Sequence, residues 1–377
     1  MEEINEKLYL DLMDFNETKR NEWMKERKPY AVLFELTARC NMNCIHCYLQ
    51  NNHVSEQLSY REVIDIIDLL YDIGILFITF TGGEILTRDD FPDIYIYAKK
   101  KGFLVELFSN GYLFDDNIID ILKEYPPLLV DISIYGSNEK TYKKITGIDG
   151  AFKKVILNCE KLKKIGVRVS LKSPIILPTL EELDAMKKLA ERLDIPFVYT
   201  FDICATIDKD ECTRQLQVPM DFALKNEFLN YYEQIQSLER VELENDKRRK
   251  KEIKELIENN KVYACNVALN SFVIDYKGNI CPCMKLRHKG EKLNRETFDL
   301  IWDKFKYFSQ KKATDTYVCK GCEARYYCDV CPAEMDFLYG NDEIRPFNVC
   351  KIANIRKNFY CGNMTFEEAL RKAAFNE

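Results

Sequence analysis

Six short apolar segments recur between residues 31 and 205, each separated from the next by an amphipathic segment, and this alternation constrains the fold more than any other feature. The segments are rich in β-branched and aromatic residues, which favours strands. They read AVLFELT from Ala31, LFITFTGG from Leu76, FLVELFSNG from Phe103, LLVDISIYG from Leu128, VRVSLKS from Val167 and FVYTFDI from Phe197. Helices of this length between parallel strands make right-handed βαβ units. The pattern therefore predicts an α/β fold with a (β/α) barrel or partial barrel.

Two of the intervening helices carry start signals. Ser59 precedes YREVIDIIDLLYDIG, and Thr179 precedes LEELDAMKKLAERLD with Glu182 three residues later, as in a capping box. In such a fold ligands gather at the carboxyl ends of the strands. The motifs CNMNCIHC, TGGE, SNG and SIYG follow or end strands one to four, so we expect them to face one mouth.

Length and charge narrow the class of protein. At 377 residues, a large α/β domain plus a smaller one is expected. A net charge of −6 argues against a nucleic-acid partner, and the basic run at 245–254 is interspersed with acids, which favours a solvated helix face over a site for an acidic partner. The start lacks a basic-then-apolar signal and no run of 18 apolar residues occurs, so we predict a cytoplasmic protein without membrane contact.

Fifteen cysteines in such a chain indicate metal or redox chemistry, because cytosolic thiols are kept reduced. Eight of them lie between Cys265 and Cys350. We divide the chain into an N-terminal extension (1–30), a core (31–205), a helical connector (206–260), a cysteine-rich domain (261–350) and a C-terminal helix (351–377). No low-complexity linker separates these parts, so the cysteine-rich domain is expected to dock against the core.

Three cysteines follow the first strand within eight residues, Cys40, Cys44 and Cys47, and no fourth is near them. A structural zinc site would need His46 as fourth ligand, yet adjacent residues such as His46 and Cys47 rarely reach one tetrahedral metal. Three thiolates suffice to hold three irons of a [4Fe–4S] cluster. The fourth iron would then be open, as in catalytic metal sites.

The sequence ELTARCNMNCIHCY followed by FTGGE resembles the radical SAM superfamily, over roughly residues 30 to 205. The resemblance implies a partial (β/α)6 barrel of the TIM type. It also implies that the open iron chelates S-adenosylmethionine (SAM), and that one electron cleaves the S–C5′ bond to release methionine and a 5′-deoxyadenosyl radical.

The same resemblance suggests SAM contacts at the strand ends. Gly82 and Gly83 would let the backbone approach the methionine moiety, and Glu84 would offer a carboxylate to its ammonium. Ser109, Asn110 and Ser133 could bond the ribose or the carboxylate, although turn or capping roles fit them nearly as well. His46 stands where the family usually carries an aromatic residue near the adenine, so packing and backbone contacts are expected there.

The second group of cysteines contains C-x12-G-x4-C, from Cys265 to Cys283, and CKGCEARYYCDVC from Cys319. A pair of zinc knuckles is the alternative interpretation. The pattern resembles the SPASM extension, which binds two auxiliary [4Fe–4S] clusters and would bring the total to three. By that resemblance the outer cluster takes Cys319, Cys322, Cys328 and Cys350, and the inner one takes Cys265, Cys283 and Cys331. Cys281 could complete the inner cluster, since alternate residues of an extended segment share a face; otherwise that site is open and could accept a substrate thiolate.

Other cysteines and acids carry less signal. Cys159 and Cys361 are expected to be ordinary packed residues, whereas Cys204 and Cys212 follow strand six near the mouth and could be functional thiols. Asp202, Asp208 and Glu211 lie in the same region, where solvated loop acids are the default. The sequence does not identify a catalytic acid or base.

The short central cysteine group and the wording CEARYYC resemble peptide-modifying members of the family. We therefore predict an oxidoreductase that matures a ribosomally synthesised peptide through a thioether or other cross-link, with flavodoxin or ferredoxin as electron donor. The 30 residues before strand one are short for a leader-binding domain. If a leader peptide is recognised, we therefore expect a separate leader-binding protein. The alternatives are a sulfatase or haem-side-chain oxidising enzyme of the same type and, in another class, a multi-cluster electron carrier.

Overall fold

A computed structural model gives the structure of residues 19, 21–49, 57–237 and 259–374. The basic run at 245–254 and the second part of the predicted connector helix lie outside the described residues. Among the described residues, every helix is too short or too polar to span a bilayer.

Nine strands form one continuous sheet. The six predicted strands are confirmed at β1 Ala31–Thr37, β2 Phe77–Gly82, β3 Leu104–Ser109, β4 Leu129–Ser133, β5 Val169–Pro174 and β6 Phe197–Thr200, and three more follow at β7 Ser271–Ile274, β8 Asn279–Cys281 and β9 Glu291–Lys292. The order across the sheet is β6-β5-β4-β3-β2-β1-β7-β8-β9. Strands β1 to β7 pair in parallel, whereas β8 and β9 pair antiparallel. The first six strands and their helices are the partial barrel that the alternation predicts.

Helices connect the barrel strands at α1 Tyr60–Asp72, α2 Phe91–Lys100, α3 Asp116–Glu124, α4 Glu139–Thr146, α5 Ala151–Lys164 and α6 Leu183–Leu193. Helix α1 begins where the sequence predicts. The Ser59 hydroxyl accepts a hydrogen bond from the Glu62 N–H at 3.3 Å, and the Glu62 carboxylate accepts one from the Ser59 N–H at 2.8 Å.

The predicted capping box at Thr179 is wrong. A 3₁₀ turn occupies Leu177–Glu182, and α6 begins only at Leu183. The Thr179 hydroxyl instead accepts a hydrogen bond from the Ile176 N–H at 3.0 Å. The carboxylate of Glu182 accepts bonds from the loop after β4, at 2.6 Å from the Ser137 N–H and 2.8 Å from the Ser137 hydroxyl. The Glu182 carboxylate therefore binds the loop after β4 and does not cap the start of its own helix.

The two faces of the barrel sheet differ in polarity. The outward face packs apolar side chains such as Phe34, Phe80 and Ile132 against the helices, in one buried core. We use the term inner face for the opposite side of β1 to β6, whose residues alternate with the core residues. Its residues include Leu33, Glu35, Thr79, Thr81, Glu106, Phe108, Asp131, Ser133, Ser170, Lys172, Val198 and Thr200.

The cysteine-rich segment continues the core sheet. Strand β7 pairs with β1 from Ala31↔Ser271 to Phe34↔Ile274. Four further helices follow the connector helix α7 Met220–Ser237, at α8 Phe298–Gln310, α9 Pro332–Tyr339, α10 Phe347–Tyr360 and α11 Phe366–Ala374. Phe272 on β7 packs against Trp302 on α8 with ring centroids 5.8 Å apart. Because one hydrophobic core includes residues of both parts, the cysteine-rich segment is docked, as expected.

The chain after residue 350 contains more than the single expected helix. Helix α10 starts at Phe347, so Cys350 lies inside it. The helix ends at Tyr360, and Gly362 follows in the left-handed conformation with φ of +74°. Thr365 then caps α11 through a hydrogen bond with the Glu368 N–H of 3.2 Å. Helix α10 packs against α7, with the rings of Phe228 and Phe359 stacked 3.9 Å apart.

Candidate iron–sulfur and S-adenosylmethionine site

The loop after β1 holds the first three cysteines together. Cys40, Cys44 and Cys47 are half-buried, and their thiols interact electrostatically with one another. The loop is tied to the end of α4, because the Asn43 N–H donates to the Thr146 carbonyl at 2.9 Å and the Ile45 N–H to the Ile145 carbonyl at 3.1 Å. Secondary structure thus fixes the position of the motif.

Burial of these thiols favours their protonated form. It raises the pKa of Cys40 to about 11, and it raises the pKa values of Cys44 and Cys47 as well. A cationic iron–sulfur core is the kind of group that holds such sulfurs as thiolates. No three His, Cys, Asp or Glu side chains of the described residues converge on a site for a single metal ion. The donor set fits a cluster in which each thiolate binds its own iron.

Gly82 and Gly83 pack the end of β2 against the start of the cysteine loop. Two backbone hydrogen bonds hold this contact. The Gly83 N–H donates to the Thr37 carbonyl at 2.8 Å, and the Glu84 N–H donates to the Arg39 carbonyl at 2.8 Å. A Cβ at Gly82 would stand 2.2 Å from the Thr37 oxygen, and one at Gly83 2.2 Å from the Arg39 oxygen. The structure therefore gives these glycines a packing reason in addition to the predicted approach of methionine.

Glu84 is fully buried and is hydrogen-bonded to residues at the end of β3. Its carboxylate accepts hydrogen bonds from the Ser109 hydroxyl at 2.9 Å, the Asn110 N–H at 2.7 Å and the Leu86 N–H at 3.2 Å. Burial raises the pKa of Glu84 to about 7, against the opposing effect of these bonds. The structure thus brings together three of the residues that the sequence predicts as SAM contacts.

Buried polar atoms near the cysteines lack partners among the described residues. The Asn110 amide donates to the Asn41 side-chain oxygen at 2.8 Å, but the amide nitrogen of Asn41 and Nδ1 of His46 have no hydrogen-bond partner. The His46 ring packs on Tyr135 with centroids 4.9 Å apart, as expected of a packing residue. Since buried polar groups are normally satisfied, these atoms fit a site that holds a polar ligand. Ser133 is half-buried at the end of β4, on the same edge of the sheet.

The second group of cysteines separates into two sets. Electrostatic interactions link Cys265 and Cys283 to Cys331, and they link Cys319 and Cys328 to Cys350. Cys322 interacts with Cys319. These sets are the two that the SPASM resemblance predicts, now brought together by the fold.

Cys281 has different surroundings from Cys283. It is fully buried, and its thiol donates to the Asn279 carbonyl at 3.8 Å and to the Arg287 carbonyl at 3.9 Å. Both contacts require the S–H proton. The Cys281 thiol also interacts electrostatically with Cys283, so the two cysteines are close but differ in burial and in hydrogen bonding.

The remaining cysteines lie apart from these sets. Cys159 is buried on α5, as predicted, and Cys212 is half-buried. The expectation that Cys361 is a packed residue is wrong, because Cys361 follows the last residue of α10 and is exposed. Cys204 is half-buried beside the ammonium of Lys285, which also interacts with Cys331. Lys285 lies 2.9 Å from Glu334 and 3.6 Å from Asp202, whereas Asp208 and Glu211 are exposed.

A buried ion pair joins the two domains beside the first cysteine loop. Glu35 on β1 is fully buried, and its carboxylate accepts two hydrogen bonds from the guanidinium of Arg287, one of them at 2.8 Å. The hydroxyl of Tyr48, which follows Cys47, donates to Glu35 at 2.8 Å, and the guanidinium lies 5.3 Å from the Tyr48 ring centroid. This contact was not predicted from the sequence. The signal for it was Glu35, a charged residue within an apolar strand, because a buried charge needs a partner of opposite charge.

A second ion pair lies on the inner face. Asp131 on β4 is buried and paired with Lys172 on β5, whose ammonium lies 4.2 Å from the ring centroid of Phe108. Glu106 on β3 accepts a hydrogen bond from the Thr79 hydroxyl at 3.2 Å. These residues were also missed, and the signal was polar residues at every second position of apolar strands.

Comparisons with known proteins agree with this architecture. The model described as "Radical SAM superfamily" matches residues 34–193, and the SPASM model, described as "Iron-sulfur cluster-binding domain", matches residues 265–323. The second match contains Cys265, Cys281, Cys283, Cys319 and Cys322. Cys328, Cys331 and Cys350 lie beyond it.

Relatives fall into two groups by their names. The "Fe-coproporphyrin III synthase" of Methanosarcina barkeri is 33% identical over 177 residues, which is 46% of this chain and 44% of that protein. The "AdoMet-dependent heme synthase" of the same organism is 25% identical over 327 residues, 79% of this chain and 92% of the relative. The "Antilisterial bacteriocin subtilosin biosynthesis protein AlbA" of Bacillus subtilis is 29% identical over 160 residues, 42% of this chain and 36% of that protein. The chain thus spans less than half the length of two of these three relatives.

The fold itself is also found in a solved structure. Streptococcus suis SuiB bound to precursor peptide SuiA superposes with a TM-score of 0.65 at 16% sequence identity, covering 89% of this chain and 80% of SuiB. The two model matches, in the same order as the two cysteine groups, show that the chain carries a radical SAM domain followed by a SPASM iron–sulfur cluster-binding domain.

Proposed function

We propose that this enzyme uses SAM and three [4Fe–4S] clusters to oxidise a ribosomally synthesised peptide, forming a thioether or other cross-link. The ligands would be Cys40, Cys44 and Cys47 for the first cluster and the two predicted SPASM sets for the others. When bound, cluster and SAM together supply a 5′-deoxyadenosyl radical. Gly82, Gly83, Glu84, Ser109, Asn110, Ser133 and His46 would form the SAM site.

The observation that carries the choice of substrate is the charge on the inner face. Two cations contact this face in the described structure, Lys172 and Arg287, and each is ion-paired with an acid of the same face. Glu106 adds a further acid. A tetrapyrrole with several carboxylate side chains would need unpaired cations there, whereas a peptide presents mostly neutral N–H and C=O groups. The inner face suits the peptide better.

The edge of the barrel supports the same choice. Strand β6 ends the sheet, with β5 as its neighbour on one side. The Val198 side chain on this strand is exposed. An extended peptide can pair with a free strand edge and place alternate side chains on one face. The names of SuiB bound to its precursor peptide and of the AlbA relative are consistent with such a substrate class.

Mass spectrometry tests this proposal. Anaerobically reconstituted and reduced enzyme is incubated with SAM and with the peptide encoded beside its gene, using a ferredoxin or flavodoxin as electron donor. Each cross-link should remove two hydrogen atoms from the peptide. Abundant SAM cleavage with an unchanged peptide mass would count against the proposal. A separately encoded leader-binding protein is added in a parallel reaction.

A tetrapyrrole substrate is the second candidate. The observation that favours it is the match to the "AdoMet-dependent heme synthase" of Methanosarcina barkeri, which runs through most of both chains. Fe-coproporphyrin III therefore replaces the peptide in the same assay. A SAM-dependent change in its mass, with the peptide left intact, would establish the second candidate over the first.

A further inference from the structure

The pair formed by Asp131 and Lys172 on the inner face is held in an asymmetric way. The Asp131 side chain is 3% exposed and the Lys172 side chain 40%. One carboxylate oxygen of Asp131 contacts the Lys172 ammonium, while the other is buried and has no hydrogen-bond partner among the described residues. A buried carboxylate oxygen without a donor lowers the stability of the fold.

Two other buried acids of the described structure, Asp342 and Glu35, do not show this defect. Asp342 is also buried beside a lysine, but both of its oxygens are bonded to Lys311, at 2.6 and 2.8 Å, and one also accepts from Tyr263 at 3.0 Å. Glu35 likewise has donors on both oxygens. Among the described residues, Oε1 of Glu139 is also a buried carboxylate oxygen without a partner, so the unfilled oxygen of Asp131 is uncommon but not unique.

The location of Asp131 relates it to the cofactor site. Asp131 lies two residues before Ser133 on β4, and alternate residues of a strand share a face about 7 Å apart. Ser133 and Lys172 are direct neighbours in the register of β4 and β5. Asp131 thus lies on the inner face one step below the strand end where SAM is expected. A substrate held against the inner face near that strand end would lie beside this pair.

The partner of Asp131 is a partly exposed lysine. Lys172 is partly exposed, and its ammonium rests on Phe108 as well as on Asp131. A long lysine side chain can keep one of these contacts while a ligand takes the space beside the other. The aromatic ring then gives an apolar wall next to a carboxylate acceptor.

We propose that Asp131, Lys172 and Phe108 form a substrate-binding subsite, in which the unfilled oxygen of Asp131 accepts a hydrogen bond from a peptide N–H or a side-chain ammonium. The inference rests on the proposed peptide substrate for its ligand, but not for its geometry. Asp131 would position the peptide for hydrogen abstraction, while Lys172 orients the carboxylate through the ion pair.

The first test needs no substrate. In the double variant Asp131→Leu/Lys172→Met, a pair retained for binding should be dispensable for folding, because apolar replacement of a buried ion pair is often neutral or stabilising. The thermal unfolding midpoint of the reconstituted protein should equal or exceed that of wild type. The matched control, Asp342→Leu/Lys311→Met, also leaves the buried Tyr263 hydroxyl without its acceptor and should therefore lower the midpoint. A midpoint of the Asp131 variant that falls as far as the control's would overturn the proposal.

The second test measures peptide conversion. Asp131→Asn, which keeps the side-chain shape, should lower kcat/KM for the peptide by about ten-fold or more, mainly through KM, since it weakens a charge-assisted hydrogen bond. Iron content per chain verifies that the variant is folded and loaded. Wild-type kcat/KM in a fully loaded Asp131→Asn enzyme would refute the subsite. Failure of the proposed function has a different signature, because then wild type itself leaves the peptide unchanged, and the stability comparison alone decides on the subsite.

Discussion

Cys281 and Cys283 are two residues apart, and their surroundings suggest different chemistry. Cys283 is half-buried and interacts with Cys331 and Cys265, whereas Cys281 is fully buried and donates its S–H to two carbonyls. Gly290 packs so closely that a Cβ there would stand 2.7 Å from the Cys281 sulfur. The space around Cys281 is filled by protein atoms, which favours a packed thiol over a cluster ligand.

We expect Cys281→Ala to keep the full iron content and Cys283→Ala to lose iron, because only the second substitution removes a thiolate from the inner set. Iron and sulfide analysis with Mössbauer spectroscopy of the reconstituted variants measures this. Cys281→Ala should cost about 1–2 kcal/mol of unfolding free energy through the cavity it leaves. Loss of one cluster's iron in Cys281→Ala would instead make Cys281 the fourth ligand.

The residue scale also shows what the sequence could predict. Cysteine spacing and the GGE motif are local patterns, so Cys40, Cys44, Cys47 and Glu84 could be named as site residues beforehand. The Glu35 and Arg287 pair joins residues 252 positions apart, and no local pattern encodes such a contact. The same holds for Asp131, whose partner lies on the next strand of the sheet.

At the scale of elements, Glu182 connects two loops at the mouth of the barrel. Its carboxylate accepts bonds from Ser137, from the Asn138 amide at 2.9 Å and from the Thr141 hydroxyl. The Asn138 side chain in turn caps α4 through the Thr141 N–H at 3.0 Å. The carboxylate thus holds the segment after β4, which leads from Ser133 to the helix that supports the cysteine loop.

Glu182→Gln should lower the unfolding free energy by about 1 kcal/mol at pH 7, after allowance for solvent screening of a half-buried group. Burial alone would raise the pKa of Glu182, but the hydrogen bonds from Ser137, Thr141 and Asn138 lower it below the usual value. The stabilising contribution is therefore complete above the unfolded pKa of about 4.5 and is lost as the pH falls through the lower folded value.

Denaturant unfolding at pH 7 and near pH 3 measures this difference, which should shrink at the lower pH. The exposed neighbour Glu181 supplies the control, and Glu181→Gln should change the unfolding free energy by less than about 0.5 kcal/mol. An equal loss in both variants, or one independent of pH, would contradict the assigned role.

Elements were predicted better when their signals were periodic than when they were local. The six barrel strands lie where alternating apolar residues place them. The predicted start of α6 was wrong. A Thr-x-x-Glu sequence can cap a helix, but here Thr179 stabilises a 3₁₀ turn and Glu182 binds a neighbouring loop. A short motif cannot express which of two partners lies closer in the fold.

For the whole molecule, the contact of Glu35, Arg287 and Tyr48 connects the SPASM domain to the first cysteine loop. Removing only the cation by Arg287→Met leaves a fully buried carboxylate without its charge partner, which should cost about 3–5 kcal/mol. The double variant Glu35→Leu/Arg287→Met should regain most of that loss. Equilibrium unfolding of all four combinations gives the coupling free energy.

A surface pair between the same two domains provides the comparison. Arg295 and Asp72 are ion-paired with side chains 59% and 49% exposed, so Arg295→Met should cost less than about 1 kcal/mol. If Arg287→Met and Arg295→Met lowered the unfolding free energy equally, burial of the Glu35 and Arg287 pair would be unimportant for the contact between the domains.

The shared sheet has a consequence for synthesis of the protein. Strand β1 lies between β2 and β7, and its partner Ser271 is made about 240 residues after Ala31. At ribosomal rates of 5–20 residues per second, the open side of β1 waits roughly 10–50 s for β7 to emerge. The nascent chain must carry an unpaired strand edge next to its first cysteine motif during this time. Final closure of the sheet beside the first cysteine motif is therefore expected late in synthesis, and chaperone binding to nascent chains should be strongest before residue 274 leaves the ribosome.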